Sequence, residues 1–121
     1  MKNKNNKIKT FSEYSREAHK TAIYPKEYEI EYLTLGLAGE AGEVANKVKK
    51  LFRDDNIDSD EILLELGDVL WYISELSRIF FSYEYELEDR TDSLENVANM
   101  NLEKLRKRKE KGTLKGSGDL R

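Results

Sequence analysis

At 121 residues the chain is one domain long, and the absence of cysteine excludes disulfides, thiolate metal sites and cysteine nucleophiles. The single histidine, His19, leaves no histidine-rich metal site, and no apolar run is long enough to span a membrane. The net charge of −3 is unevenly spread: residues 1–9 carry four Lys and no acid, residues 104–111 set six basic side chains against Glu110, and the body between them is strongly acidic. Such a body repels nucleic acid, and basic ends of this kind are usually solvated. The start MKNKNNKIKT lacks the apolar segment of a secretory signal, so a cytoplasmic location is expected.

The Lys/Asn-rich residues 1–9 are expected to be a disordered basic arm, 10–110 a helical domain, and 111–121 a glycine-rich extension. Phe11, Tyr14, Ala18 and Ala22 recur at helical spacing and predict a first helix to about Tyr24, broken by Pro25, the only proline. A second helix is predicted from Glu27 to Phe52, with the stripe Leu33, Leu37, Ala41, Val44, Val48, Leu51. The run 53–60 reads as a loop, with Asp58 or Ser59 as N-cap of a third helix over Asp60–Phe81. That helix is apolar almost all round, with Leu63, Leu66, Val69, Leu70 and Ile73 on one side and Leu64 and Trp71 on the other, which predicts burial. Residues 82–92 are unassigned, and a fourth helix is predicted from Ser93 to Lys109. No strand or repeat is visible, so the class is all-α, a four-helix up-and-down bundle.

Two acidic pairs stand out: Glu40-x-x-Glu43 and, after 21 intervening residues, Glu65-x-x-Asp68. Residues three apart share a helix face, so two helices can gather four carboxylates. Uncompensated carboxylates repel one another, and a hard cation bound through oxygen resolves that repulsion. Mg²⁺ fits this donor set, with Mn²⁺ as the alternative, and ions held this way commonly handle phosphates. The competing explanation is a solvated acidic face; apolar residues flanking both sides of the Glu61, Glu65, Asp68, Glu75 stripe favour the metal. Tyr72 falls among these acids in helical angle, and Lys47 continues the Glu40/Glu43 face. Gly36, Gly39 and Gly42 form a smooth strip beside the acids, open to a ligand or to tight helix packing.

On the fourth helix Leu94, Val97, Ala98 and Leu105 share a face with Asn101 in its middle and Lys104 and Arg108 at its edge. Such an Asn needs hydrogen-bond partners, and the two bases can bind phosphate oxygens; a core polar residue with snorkelling bases is the other possibility. An EF-hand-like spacing begins at Asp54, with Asn56, Asp58, Asp60 and Glu65 at its ligand places. Position six is Ser59 rather than Gly, which argues against it. His19 reads as a surface or core histidine, and Trp71 as core.

Over residues 11–118 the chain resembles the MazG-like nucleotide pyrophosphohydrolases of the all-α NTP pyrophosphatase superfamily. The resemblance rests on LGLAGEAGEVANKVKK, ELGDVLWYIS, Asn101-x-x-Lys104-Leu105-x-x-Arg108 and KGTLKGSGD. The family's E-x-x-E…E-x-x-D signature falls on Glu40, Glu43, Glu65 and Asp68. An extra Glu that some members carry just before the first of these is Gly39 here, and the segment 80–92 is longer than in compact members. The resemblance implies a Mg²⁺-dependent enzyme cleaving a nucleoside triphosphate between the α and β phosphates to monophosphate and pyrophosphate. It also implies a homodimer or homotetramer with a site completed between helices or between subunits. In that frame the four acids hold metal, Glu43 is the candidate general base, and Lys47, Lys104, Arg108, Asn101 and Tyr72 contact substrate. Three alternatives stay open: a phosphoribosyl-ATP or dUTP pyrophosphatase of the same superfamily, a non-catalytic helical partner-binding module, and a metal-stabilised structural bundle.

Overall fold

A computed structural model describes residues 6–54, 59–85, 92–116 and 118. Four α-helices and one 3₁₀ turn are present, with no strand among the described residues: α1 Phe11–His19, a 3₁₀ turn Lys26–Tyr28, α2 Glu29–Asp54, α3 Ser59–Tyr85 and α4 Ser93–Lys111. The expected all-α class is therefore observed. The expectations for residues 1–5, for the 55–58 part of the loop with Asp58 as N-cap and the Asn56 and Asp58 ligand places, for 86–91, and for 117 and 119–121 lie outside the described residues. Among the described helices none is long and apolar enough to cross a membrane.

Helix α1 begins where Thr10, in extended conformation, accepts the Glu13 amide at 3.0 Å. This N-cap satisfies one of the first-turn donors. The helix ends at His19 rather than near Tyr24. The cause is tertiary: the Ala18 carbonyl accepts the Thr21 hydroxyl at 2.7 Å and the Trp71 indole N–H at 3.2 Å. Those bonds claim the oxygen that a further helical turn would need, and the chain turns off toward Pro25. At the far end of the chain, Gly112 adopts φ 70°, which terminates α4 in a left-handed cap, and the Thr113 amide returns to the Arg108 carbonyl at 2.8 Å.

Helix α3 is the central element, packing against α1, α2 and α4. Helices α2 and α3, each about 40 Å long, form an antiparallel hairpin. One register relates three of their cross-pairs: Lys47 beside Glu61, Glu40 near Asp68, and Gly36 against Tyr72. Helix α1 reaches α4 through Ser12, whose hydroxyl bonds Asp92 at 2.7 Å and Glu95 at 2.8 Å.

The interior is small. Among the described residues the buried apolar side chains are Ala18, Leu33, Ile79 and Leu94. The expectation that α3 is buried all round is not met within one chain: Leu63, Leu64, Leu66 and Phe80 are exposed, as are Leu35 and Phe52 on α2. The nine-residue α1 is too short to cover 27-residue α3, so among the described residues one flank of the hairpin is left exposed.

Candidate metal centre and nucleotide pocket

The helical hairpin brings Glu40 of α2 to Glu65 and Asp68 of α3, one carboxylate oxygen of each lying within 4.8 Å of the other two. Glu40 and Glu65 are half-buried and Asp68 is exposed. The Glu40 carboxyl is held above the usual carboxylate range, first by its partial burial and then by the charge of Asp68 and a hydrogen bond to Glu65, with the Glu65 and Glu43 charges adding to the effect. Repulsion among crowded carboxylates is what a divalent cation would relieve, and an all-oxygen donor set suits a hard ion. The residues present therefore fit the metal.

Glu43, one turn further along α2, is solvent-exposed and is not one of the three converging carboxylates, although its charge acts on Glu40. The α3 stripe read from the sequence divides into three parts. Glu61 pairs with Lys47 at 3.3 Å, Glu65 and Asp68 join Glu40, and Glu75 is fully buried elsewhere.

Beside the trio lies a cavity of about 360 Å³ whose wall includes Glu40 and Asp68. Its other walls are Tyr24, Tyr32, Trp71 and Tyr72, with Thr21 and Ile23. The rings are mutually packed: Tyr24 stacks on Tyr32 at 5.9 Å, and Trp71 meets Tyr24 edge-on at 6.2 Å and Tyr72 at 5.0 Å. Trp71 is fixed by its indole N–H, which donates to Thr21 Oγ at 2.9 Å as well as to the Ala18 carbonyl. Tyr72 lies so close to α2 that a Cβ at Gly36 would fall 2.2 Å from its Cε1. Burial, the neighbouring Tyr32 and the Glu40 charge together raise the Tyr72 phenol above its ordinary value. The volume falls in the range of small-molecule sites, and offset ring faces suit a flat heterocycle.

Tyr72 thus borders the acids, as its helical angle predicts. Tyr24, Tyr32 and Trp71 are pocket residues that the sequence reading missed, Trp71 having been assigned to the core. The signal available was the short aromatic-rich stretch from Tyr24 to Tyr32 around Pro25.

The α4 residues are placed differently from the expectation. Asn101 is exposed rather than set within an apolar face, and its neighbours Met100, Leu102 and Leu105 are exposed with it. Arg108 is buried rather than at an edge, and its Nη2 donates to the Gly118 carbonyl at 3.2 Å, tying the glycine-rich segment back onto α4. Lys104 is half-buried. No α4 residue lines the cavity that contains Glu40 and Asp68.

The MazG nucleotide pyrophosphohydrolase domain matches residues 29–113, which span α2, α3 and α4. The Gene 37 protein of Mycobacterium phage L5 is 40% identical over 119 residues, covering 89% of this chain and 96% of the phage protein. No solved structure matches. With a domain match across well over half its length, laid over the helices that gather the carboxylates, this chain belongs to the MazG nucleotide pyrophosphohydrolase domain family.

Proposed function

We propose that this protein is a Mg²⁺-dependent nucleoside triphosphate pyrophosphohydrolase, able to use Mn²⁺, that converts a ribo- or deoxyribonucleoside triphosphate to its monophosphate and pyrophosphate. The observation that carries the reading is that two of the three converging carboxylates, Glu40 and Asp68, line an aromatic cavity. Such a pairing holds a metal-bound polyphosphate at one end and a base at the other.

Glu40, Glu65 and Asp68 would hold the ion, with Glu43 completing the set from the next turn of α2. When bound, the ion supplies charge neutralisation of the phosphates and a lowered pKa for a coordinated water. Glu43, exposed beside the trio, is suited to take a proton from the attacking water. Tyr72 and the ring cluster around it pack against the sugar and base and exclude water. Lys47, now paired with Glu61, exchanges that carboxylate for phosphate oxygen when substrate enters. Phosphoryl chemistry of this kind depends on positioning and charge more than on a protein nucleophile, in keeping with a chain that has no Cys.

Asn101, Lys104 and Arg108 lie on a helix that does not line the cavity. In our reading Asn101 and Lys104 reach the phosphates from a second copy, in a homodimer or a tetramer built from it, and Arg108 joins them by leaving the Gly118 carbonyl. Two features support assembly: the exposed Leu63, Leu64 and Leu66 of α3, and an apolar groove of about 300 Å³ lined by Leu37, Ile73, Leu76, Phe80, Phe81 and Val97. Contiguous apolar surface of this kind marks association sites.

The test is to incubate purified protein with each canonical ribo- and deoxyribonucleoside triphosphate plus Mg²⁺ and identify the products. Monophosphate with pyrophosphate, lost on chelation, is expected. Diphosphate with inorganic phosphate would refute the bond assignment. Turnover of phosphoribosyl-ATP or dUTP alone would move the chain to those substrates within the superfamily.

A further inference from the structure

One ionisable group lies apart from the trio and is more deeply buried than any of its members. Glu75 has no solvent exposure, and a buried carboxylate is tolerated only with close partners. Its partners come from three places. The Tyr24 hydroxyl donates to Oε1 at 2.7 Å, His19 Nδ1 lies 3.0 Å from the same oxygen, and Arg78 Nε is 3.9 Å from Oε2. Adjacent to it on α3, Ser74 shares a 2.8 Å hydrogen bond with Ser15, which locks α1 onto the same turn.

Tyr24 lies on the segment between α1 and the 3₁₀ turn, so no helix of its own holds it in place. Its ring is the wall on which Tyr32 stacks and Trp71 abuts. It also separates the aromatic cavity from a second one, of about 250 Å³, lined by His19, Lys26, Glu29 and Arg78. A Tyr24 released from its anchor therefore has space to swing into, away from the nucleotide. Burial and the Glu75 bond both keep the phenol protonated, so the donor persists at neutral pH.

We propose that Glu75 is a positioning residue for the nucleotide pocket: by accepting the Tyr24 hydroxyl it fixes the aromatic wall that receives the base, without itself touching substrate. The inference rests on the proposed function for its substrate and adds a residue outside the metal set and outside the pocket lining. His19 and Arg78 contact the same carboxyl from other sides and so keep Glu75 aimed at Tyr24.

The experiment uses the full chain and five proteins: wild type, Glu75→Met, Glu75→Gln, Tyr24→Phe and the Glu75→Met/Tyr24→Phe double variant. Steady-state hydrolysis of the preferred triphosphate is measured with Mg²⁺. Glu75→Met, similar in length but without an acceptor, raises KM about three- to tenfold with kcat within about twofold, as loss of one indirect binding contact would. Glu75→Gln keeps a carbonyl for Tyr24 and stays near wild type. Tyr24→Phe reproduces the KM of Glu75→Met, and the double variant is no worse than either single, since both remove the same bond. An unchanged KM in Glu75→Met, or effects that multiply in the double variant, overturns the proposal. Should Glu75→Met fail to fold by circular dichroism, Tyr24→Phe decides: a wild-type KM there overturns it and a raised one supports it. Should wild type hydrolyse no nucleotide, the proposed function fails separately. The positioning role is then read from the emission of Trp71, the only tryptophan. A shift in Glu75→Met and Tyr24→Phe that is absent in Glu75→Gln supports it, and unshifted spectra overturn it.

Discussion

Replacing Gly36 by Ala tests how the hairpin and the pocket are joined. A Cβ built at Gly36 lies 2.2 Å from Tyr72 Cε1, 2.4 Å from Cζ and 2.9 Å from Cδ1, all well inside ordinary carbon–carbon contact. The Tyr72 ring must therefore retreat by more than about 1 Å to reach normal separation. Overpacking of this kind costs about 1–3 kcal/mol, while the gain in helix propensity from Gly to Ala returns up to about 1 kcal/mol. The net is a loss of about 0–2 kcal/mol, or a fall in melting temperature of up to about 8 °C. Gly39→Ala is the internal control, because a Cβ there meets nothing within 4 Å; it should stabilise by up to about 1 kcal/mol. Thermal melts of the two variants, paired with KM for the preferred triphosphate, give the assay. Gly36→Ala is expected to raise KM by displacing Tyr72, and Gly39→Ala to leave KM alone or change it less. A Gly36→Ala protein that melts higher than wild type with unchanged KM would show that Tyr72 neither rests on α2 nor shapes the site.

Asp68→Asn and Glu43→Gln should each abolish turnover while leaving the helical circular dichroism intact; wild-type rates in both at saturating Mg²⁺ would remove these residues from the site. In the metal-free protein the raised Glu40 pKa makes the fold bind a proton more tightly than the unfolded chain does. That contribution is full below the ordinary carboxylate value and is lost as pH rises through the raised one. Mg²⁺ should restore the melting temperature on the alkaline side of this window, and a melt insensitive to Mg²⁺ at pH 7 would contradict the metal centre. Tyr24 is raised above its ordinary value by burial and by the Glu75 bond. Its stabilising contribution is thus present below about pH 10 and lost as pH rises further. Phenolate absorbance titrated upward should show a late-ionising tyrosine that disappears in Tyr24→Phe.

The helical hairpin and its acids were legible because they depend on local spacing. Glu40, Glu65 and Asp68 recur at intervals that any α-helix turns to one side, and an antiparallel pairing of α2 and α3 is enough to join them. Features set by distant partners were not legible. The end of α1 at His19 depends on Trp71, 53 residues away from the carbonyl it claims. Glu75 repeats with Glu61, Glu65 and Asp68 and so read as one more member of the acidic stripe favoured as a metal site; its burial depends on Tyr24 and His19 arriving from another segment. The exposure of Asn101 depends on which stretch of α4 its neighbours cover, which helical angle alone does not give.

The small interior has a thermodynamic consequence. A domain of this size has a net stability of about 5–15 kcal/mol against an ordering entropy many times larger, and the four apolar side chains buried among the described residues supply only part of the opposing term, half-buried ones such as Leu37, Val44 and Ile73 adding to it. Covering surfaces such as Leu63, Leu64 and Phe80 in the proposed dimer would add the burial that these helices leave exposed. In that dimer folding is coupled to assembly by mass action, so the melting temperature would climb as the protein is concentrated.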